Sequence, residues 1–398
     1  MTLATSIACP PALARTSDLA TPETSGLFTR WINPASDVSS YILTHRAAPV
    51  QQSFYYTHPS WSHDGRFLWL RCGFPPPGGL HCTQTLGVVD FDRDELRVYP
   101  ETQFTAESVM VDGLSGEAYW TNHLDLWKRG PLAKDRAVRV NSFPAALDSG
   151  RLALLATHPT FSADRRSFNV DARFIQSDGS ATVHLGELAA NGSSFKLWQS
   201  LPDRYFDHGL FSPVDPDLQL IVHEYWQDAA RKGVPFDGNL PYHRIWLIRR
   251  GGQAEPLLRQ PVSHSGHEWW SADGQFINYL HYGHGVKRVC LATREETLIW
   301  AGHLSHAHSD RTGRYLVADR MDTPGNPDCH VLFRDTVTGK CVEIVNRGPL
   351  ASHLTRCTHL HPHPQFCLDD RYICYTTTVH DRVDIALAPV ADLIALTT

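Results

Sequence analysis

Residues 358–366 read THLHPHPQF and place histidines at alternate positions, His359, His361 and His363. Successive side chains of an extended strand point to opposite faces, so these three imidazoles are expected on one surface. Neutral imidazole ligates divalent metals and accepts protons near neutral pH, so the chemistry on offer is metal binding or proton transfer. The chain holds 23 histidines, so register must carry the reading, not abundance.

Register comes from a repeat. His58 opens HPSWSHDGRFLWL, His158 opens HPTFSADRRSFNV and His208 opens HGLFSPVDPDLQLIV. His267 opens HEWWSADGQFINY, His306 opens HAHSDRTGRYLVAD and His363 opens HPQFCLDDRYICY. A degenerate copy, SVMVDGLSGEAYW, starts at Ser108, and the seven starts are separated by 50, 50, 50, 59, 39 and 57 residues. Each copy has an aromatic or apolar residue, a small residue, a turn with Asp or Gly, and an alternating apolar run. That pattern is a β-hairpin. Further strand candidates such as HRIWLIRR (243–250) and QTLGVVDF (84–91) lie between copies. Four short strands per period of about 50 residues predict an all-β, seven-bladed β-propeller forming one closed domain. No segment sustains the apolar period of a helical solenoid. Equivalent positions in successive blades surround a central channel, so His58, His158, His208, His267, His306 and His363 are expected around one axial cavity. His361 shares a face with His363, and His306 comes from the neighbouring blade. The three form a candidate metal site, with Thr358 or His359 open as fourth member.

Composition narrows the function. A formal net charge of −6 and no long basic run argue against nucleic-acid binding. No apolar stretch approaches the roughly 18 residues of a membrane span. The start, MTLATSIACPPALARTSDLATPETSG, lacks the pattern of a secretory leader, and residues 1–27 read as a flexible arm ahead of a propeller over 28–398. Nine scattered cysteines without CxxC spacing fit reduced thiols and a cytoplasmic setting. There is no G-x-S-x-G elbow and no Gly-rich phosphate loop. Paired carboxylates for glycoside hydrolysis stay open, but Asp215 falls where a turn needs it. Glu224 and Glu268 each follow a histidine directly, so they are expected to point away from it.

FSPVDPDLQLIVHEYW (211–226), HRIWLI (243–248) and SGHEWWSADG (265–274) resemble the core of oligogalacturonate lyases, and SHAHSDRTG (305–313) and HLHPHPQF (359–366) resemble that family's metal-binding segments. These are intracellular seven-bladed propellers acting on pectin fragments, and the resemblance covers roughly residues 150 to 380. It implies metal ligands at His306, His361 and His363, a catalytic base at His267 and an active-site arginine at Arg244. The family's fourth ligand is a glutamine where this chain has Thr358, which leaves that place open to His359 or water. A second departure is the insertion QDAARKGVPFDGNLPYH (227–243) beside the site.

The resemblance further implies β-elimination on an acidic oligosaccharide. His267 takes the C5 proton α to a carboxylate, and Arg244 grips that carboxylate in bidentate fashion. His208 stands with the catalytic residues, and Arg173, His158, His58 and Tyr242 with the substrate contacts. Arg173, Arg244 and the metal would make the pocket locally positive. A divalent ion is implied, manganese by the resemblance, with zinc or calcium open because three imidazoles also suit zinc. Oligogalacturonides lead as substrate. Glucuronate-containing chains of the rhamnosyl-glucuronate or ulvan type follow, because related propeller lyases act on them. The rival readings are a hydrolase using a metal-bound hydroxide and a non-catalytic propeller that binds a glycan or protein.

Overall fold

The recurring Ser-x-Asp element closes a tight turn. Ser62 Oγ donates to Asp64 Oδ1 at 2.6 Å, while the N–H groups of Arg66 and Phe67 donate to Asp64 Oδ1 and Ser62 Oγ at 3.0 and 2.9 Å. The same set recurs at Ser162–Asp164 and Ser271–Asp273. Side-chain oxygens thus satisfy N–H groups that the turn leaves open, which is why these residue types recur in step with the strands.

The structure, a computed structural model, describes residues 19–75, 83–104, 108–147, 151–202, 204–321, 329–346 and 360–398. Seven antiparallel sheets make up the fold, six of them built from four consecutive strands each. The inner strands of blades 1 to 7 are Val50–Gln52, Val109–Val111, Arg151–Leu154, Phe206–Phe211, Ser265–Trp270, Ala307–Ser309 and Gln365–Cys367. Blade 7 is composite. Its inner three strands come from the end of the chain, and its outer two, Ser39–Leu43 and Phe28–Ile32, from near the beginning. Ser39–Leu43 runs antiparallel to Asp384–Pro389 with Tyr41 opposite Leu387, clasping the ring shut. The fold is a seven-bladed β-propeller, as the repeat predicted. Of the segment read as an arm, residues 19–27 lie along this clasp. Ala20 N–H donates to Phe91 O at 3.1 Å, Tyr372 donates to Glu23 at 2.9 Å, and Leu27 is buried.

The core is a set of slabs, one at each junction between blades. Trp61, Leu68 and Leu70 meet Tyr372, Ile385 and Leu387 where blade 1 faces blade 7. Trp69 and Leu86 meet Trp120 between blades 1 and 2, and Val183 and Phe206 meet Ile221 and Ile248 between blades 3 and 4. Burying each such side chain contributes about 1.5–3 kcal/mol. A strand covered on both faces is buried at every position, as Leu218–His223 is, with the Gln219 amide donating to the Gly186 carbonyl at 3.0 Å.

Two eight-residue helices interrupt the all-strand pattern, α1 (Tyr225–Lys232) and α2 (Val390–Thr397). Two turns are too short to show an apolar period. Helix α1 ends on Gly233 in the left-handed conformation, whose N–H caps Ala229 and Ala230 carbonyls, with Arg231 and Lys232 in the last turn. Among the described residues no helix is long and apolar enough to cross a membrane.

Candidate active site

The six registered histidines converge on the propeller axis by local distortions of the inner strands. In blade 4 the register breaks between Asp207 and Leu210, and in blade 5 between Gly266 and Trp269. His208, His267 and His363 occupy left-handed backbone, with φ of 52°, 54° and 44°. Such bulges re-aim a side chain, and a non-glycine residue keeps positive φ only where its surroundings hold it. One expectation is corrected here. Residues 360–364 are not a strand, which begins only at Gln365. His361 and His363 are therefore not brought together by β alternation; the turn of the backbone at His363 does it. Thr358 and His359 lie outside the described residues.

The ring is closely packed. Ring centroids are 4.7 Å apart for His58–His158, 4.6 Å for His158–His208, 3.9 Å for His267–His306 and 4.4 Å for His306–His363. Tyr55 fills the middle, 4.5 Å from His158 and 4.8 Å from His363, with His58, His208 and His306 also around it. The blade 2 copy contributes no imidazole; its Ser108 pairs instead with Thr121 at 2.6 Å. His158 Nδ1 and His58 Nε2 are 2.7 Å apart. Burial drives both well below the ordinary imidazole pKa, His58 to about 3, so both rings are neutral.

His306, His361 and His363 present ring nitrogens within 4.8 Å of one another. Asp319, wholly buried, sits at 2.9 and 3.0 Å from His306 Nδ1. A carboxylate there places the proton on Nδ1 and leaves the Nε2 lone pair as the donor, the usual arrangement behind a ligating histidine. Three imidazoles with one tautomer fixed from behind fit a divalent cation.

His267 lies directly against this group. Its Nδ1–H donates to the Ser305 carbonyl, and the Tyr282 hydroxyl is 2.8 Å from the same nitrogen. Nε2 therefore carries the lone pair. Burial first, then the neighbouring His306 and Arg244, drive its pKa well below the ordinary value, and the ring is neutral at pH 7.

A second group stands on the blade 4 side. Arg244 Nε donates to Glu268 at 2.6 Å and Nη2 to Glu224 at 2.7 Å, with all three side chains buried. Glu224 points away from His223, as strand alternation requires, and His223 turns instead to Asp228 at 2.7 Å. His208 Nδ1 hydrogen-bonds Asp207 and lies 3.7 Å from Glu224. Burial works against a proton there, but the Asp207 charge and hydrogen bond, with Glu224, raise its pKa to about 9. Asp207, His208 and Glu224 are close enough to hold an ion. Arg244, and Arg173 at 3.7 Å from Asp207, already supply their counter-charge. Three carboxylates thus face two guanidiniums and one imidazolium. The charges of Arg173 and Arg244 are thus matched on the spot, so of the three expected sources of positive charge the metal is the one left.

Between these groups opens a cleft of about 440 Å³, lined by Tyr55, His158, His208, Arg244, His267 and Tyr282. Trp226, just ahead of the insertion, and Phe236 and Tyr242, within it, complete the wall. Arg173 and His58 do not line it. Arg173 stacks 3.5 Å over the Tyr205 ring beside Asp207, and His58 lies against His158. Sequence reasoning missed Tyr55, Asp319, Tyr282 and the clamp on Arg244. Tyr55 had a signal, standing three residues before the first registered histidine. The clamp had none, because Glu224, Arg244 and Glu268 come from separate strands.

A charged His208 has a consequence for stability. A group whose pKa is raised on folding stabilises fully below its unfolded value and loses that contribution as pH rises through its folded one. Stability of the metal-free protein from this source is expected to decline between about 6.5 and about 9. Thermal melts across that window should show a shallower decline for His208→Gln than for the wild type. Parallel profiles would contradict the charged ring.

No family model matches the chain. The oligogalacturonate lyase of Dickeya dadantii (strain 3937) is 24% identical over 213 residues, 48% of this chain and 51% of that protein. The oligogalacturonide lyase of Pectobacterium atrosepticum is 23% identical over 213 residues, with the same shares of each chain. The chain thus spans about half the length of the curated relatives it matches. A solved oligogalacturonate lyase in complex with manganese superposes with a TM-score of 0.73 at 16% identity, covering 91% of this chain and 96% of that one. The oligogalacturonate lyase from Vibrio parahaemolyticus gives a TM-score of 0.70 at 15% identity over the same shares. The chain has the seven-bladed fold of the oligogalacturonate lyases and is similar to them in sequence over about half its length.

Proposed function

We propose that the protein is a metal-assisted lyase that cleaves uronic-acid oligosaccharides by β-elimination, with oligogalacturonides as first substrate class. The observation that carries this is a neutral, half-buried His267 whose ring lies 3.9 Å from that of His306 of the three-histidine group, in a cleft that also holds Arg244. Relatives named for oligogalacturonides support the substrate class. The neighbour solved with manganese supports a divalent ion, manganese before zinc or calcium. Six described cysteines are free thiols, which suits a reducing, cytoplasmic setting.

The steps follow from where protons and charges sit. His267 Nε2 accepts the C5 proton, and the electron pair of that C–H bond becomes the C4=C5 double bond. The C4–O bond breaks, and the leaving oxygen takes a proton from His208, charged and in the same cleft. Arg244 meets the carboxylate charge that grows as C5 loses its proton, and its clamp of Glu224 and Glu268 removes the need to reorganise during the step. His306, His361 and His363 would hold a divalent cation, which would supply Lewis-acid stabilisation of that carboxylate. His58 and Arg173, outside the lining, position His158 and Asp207, while His158 and Tyr242 form the substrate wall.

Lyase action is tested by incubating the metal-loaded protein with defined galacturonate and glucuronate oligomers. The expected result is growing ultraviolet absorbance from the conjugated double bond. New reducing ends without absorbance would mean hydrolysis and sink the proposal. With Glu224 and Glu268 holding two edges of its fork, Arg244 can offer substrate only its remaining N–H groups. Arg244→Lys keeps the charge and loses the planar fork, and kcat/KM should fall by about 10²-fold. Unchanged kinetics would remove Arg244 from the site.

A further inference from the structure

The insertion that brings Phe236 and Tyr242 to the catalytic cleft has a second side. Between it and blade 4 lies a cleft of about 830 Å³, and Phe236 and Tyr242 line both cavities. Tyr242 is the partition. It lines the catalytic cleft beside Arg244, and its ring packs 4.4 Å from Tyr225 in the second cleft.

The second cleft combines aromatic faces with cations. Arg204 lies 5.6 Å over the Trp246 ring, is exposed, and forms no ion pair among the described residues. Lys232 stands at the end of α1 in the same wall. The two lining carboxylates are engaged elsewhere, Asp228 by His223 and Arg231 at 2.7 and 3.1 Å, and Asp237 by Asn239 at 2.9 Å. The insertion also exposes Val234 (52%), Phe236 (46%) and Leu240 (63%), all of which line this cleft. So much apolar surface in so short a segment marks a place where something binds. Flat aromatic faces suit the C–H face of a pyranose, and a guanidinium suits its carboxylate.

We propose that this cleft is an extension site for a further anionic sugar residue of the chain being cleaved, recognised by Arg204 and by the Tyr225 and Trp246 rings. It rests on the lyase reading above, since that reading supplies the chain. Its occupant is a uronate beyond the pair that flanks the broken bond, so it acts on chain length and not on the bond chemistry.

The test compares wild type with Arg204→Ala on galacturonate dimer, trimer and tetramer. The tetramer-to-dimer ratio of kcat/KM should fall by about tenfold in the variant, the size expected for one charge-assisted hydrogen bond. An unchanged ratio overturns the extension site and leaves the lyase reading standing. In parallel, calorimetry on a His267→Ala background measures tetramer binding without turnover. If no oligomer is cleaved by the wild type, the lyase reading fails, and calorimetry decides the site separately. Tetramer binding weakened about tenfold by Arg204→Ala supports it. Equal affinity, or no binding at all, overturns it.

Discussion

Replacing His267 with alanine should lower kcat/KM by about 10³-fold while leaving metal content and thermal midpoint close to wild type. The effect is large because His267 is the neutral imidazole of the cleft that lies against the three-histidine group. His158 and His58 are neutral but hydrogen-bond to each other at 2.7 Å. His208 already carries its proton through Asp207 and Glu224. His267 has one nitrogen committed as donor, to Ser305, and its ring lies 3.9 Å from that of His306 in the three-histidine group. Metal content should hold because His267 stacks on His306 and is not one of the three grouped nitrogens. Turnover, metal analysis and melting must be read together. Surviving turnover would show that the base is another group, whereas loss of the metal would make His267 a ligand.

The second large effect is expected from the double replacement His361→Ala and His363→Ala. Removing two of three imidazoles leaves His306 alone with Asp319 behind it, and metal affinity should fall by more than about 10²-fold, since even outer partners of a ligand are worth about 10–100-fold. Activity should disappear with it. Both residues sit ahead of the strand that begins at Gln365, so the blade's hydrogen-bond ladder is untouched and the variant should fold. Full occupancy by manganese in titrations of the folded variant would refute the ligand assignment. His306 is the less suitable target, because its N–H groups are tied to the buried Asp319.

Much of this was legible along the chain because repetition is a linear property. The Ser-x-Asp turn needs two side chains two residues apart, so it leaves the same mark in each blade that uses it. The histidine three residues before the aromatic position keeps step with that mark, and six of them were placed on the axis from register alone. Arg244 and His267 were named through a resemblance whose motifs are short and local.

What stayed hidden depends on groups that meet only when blades close. Asp319 behind His306, Ser305 behind His267 and the carboxylates around Arg244 are set by side-chain direction between strands, which spacing does not encode. Counting arginines along the chain could not show that Arg173 and Arg244 are matched by carboxylates from other segments, which leaves the metal as the source of net positive charge. The alternation of His361 and His363 suggested a strand, yet a left-handed residue at His363 overrides it, held by the packed ring around Tyr55. The insertion read only as a length difference, and its short helix and two-sided wall appear once it folds over blade 4. Sequence alone therefore determined the number of blades and the residues that reach the axis, because both follow from a periodic backbone. Tertiary structure decided which nitrogens carry protons, which charges are spent on each other and where a second cleft opens, because those depend on distances between blades.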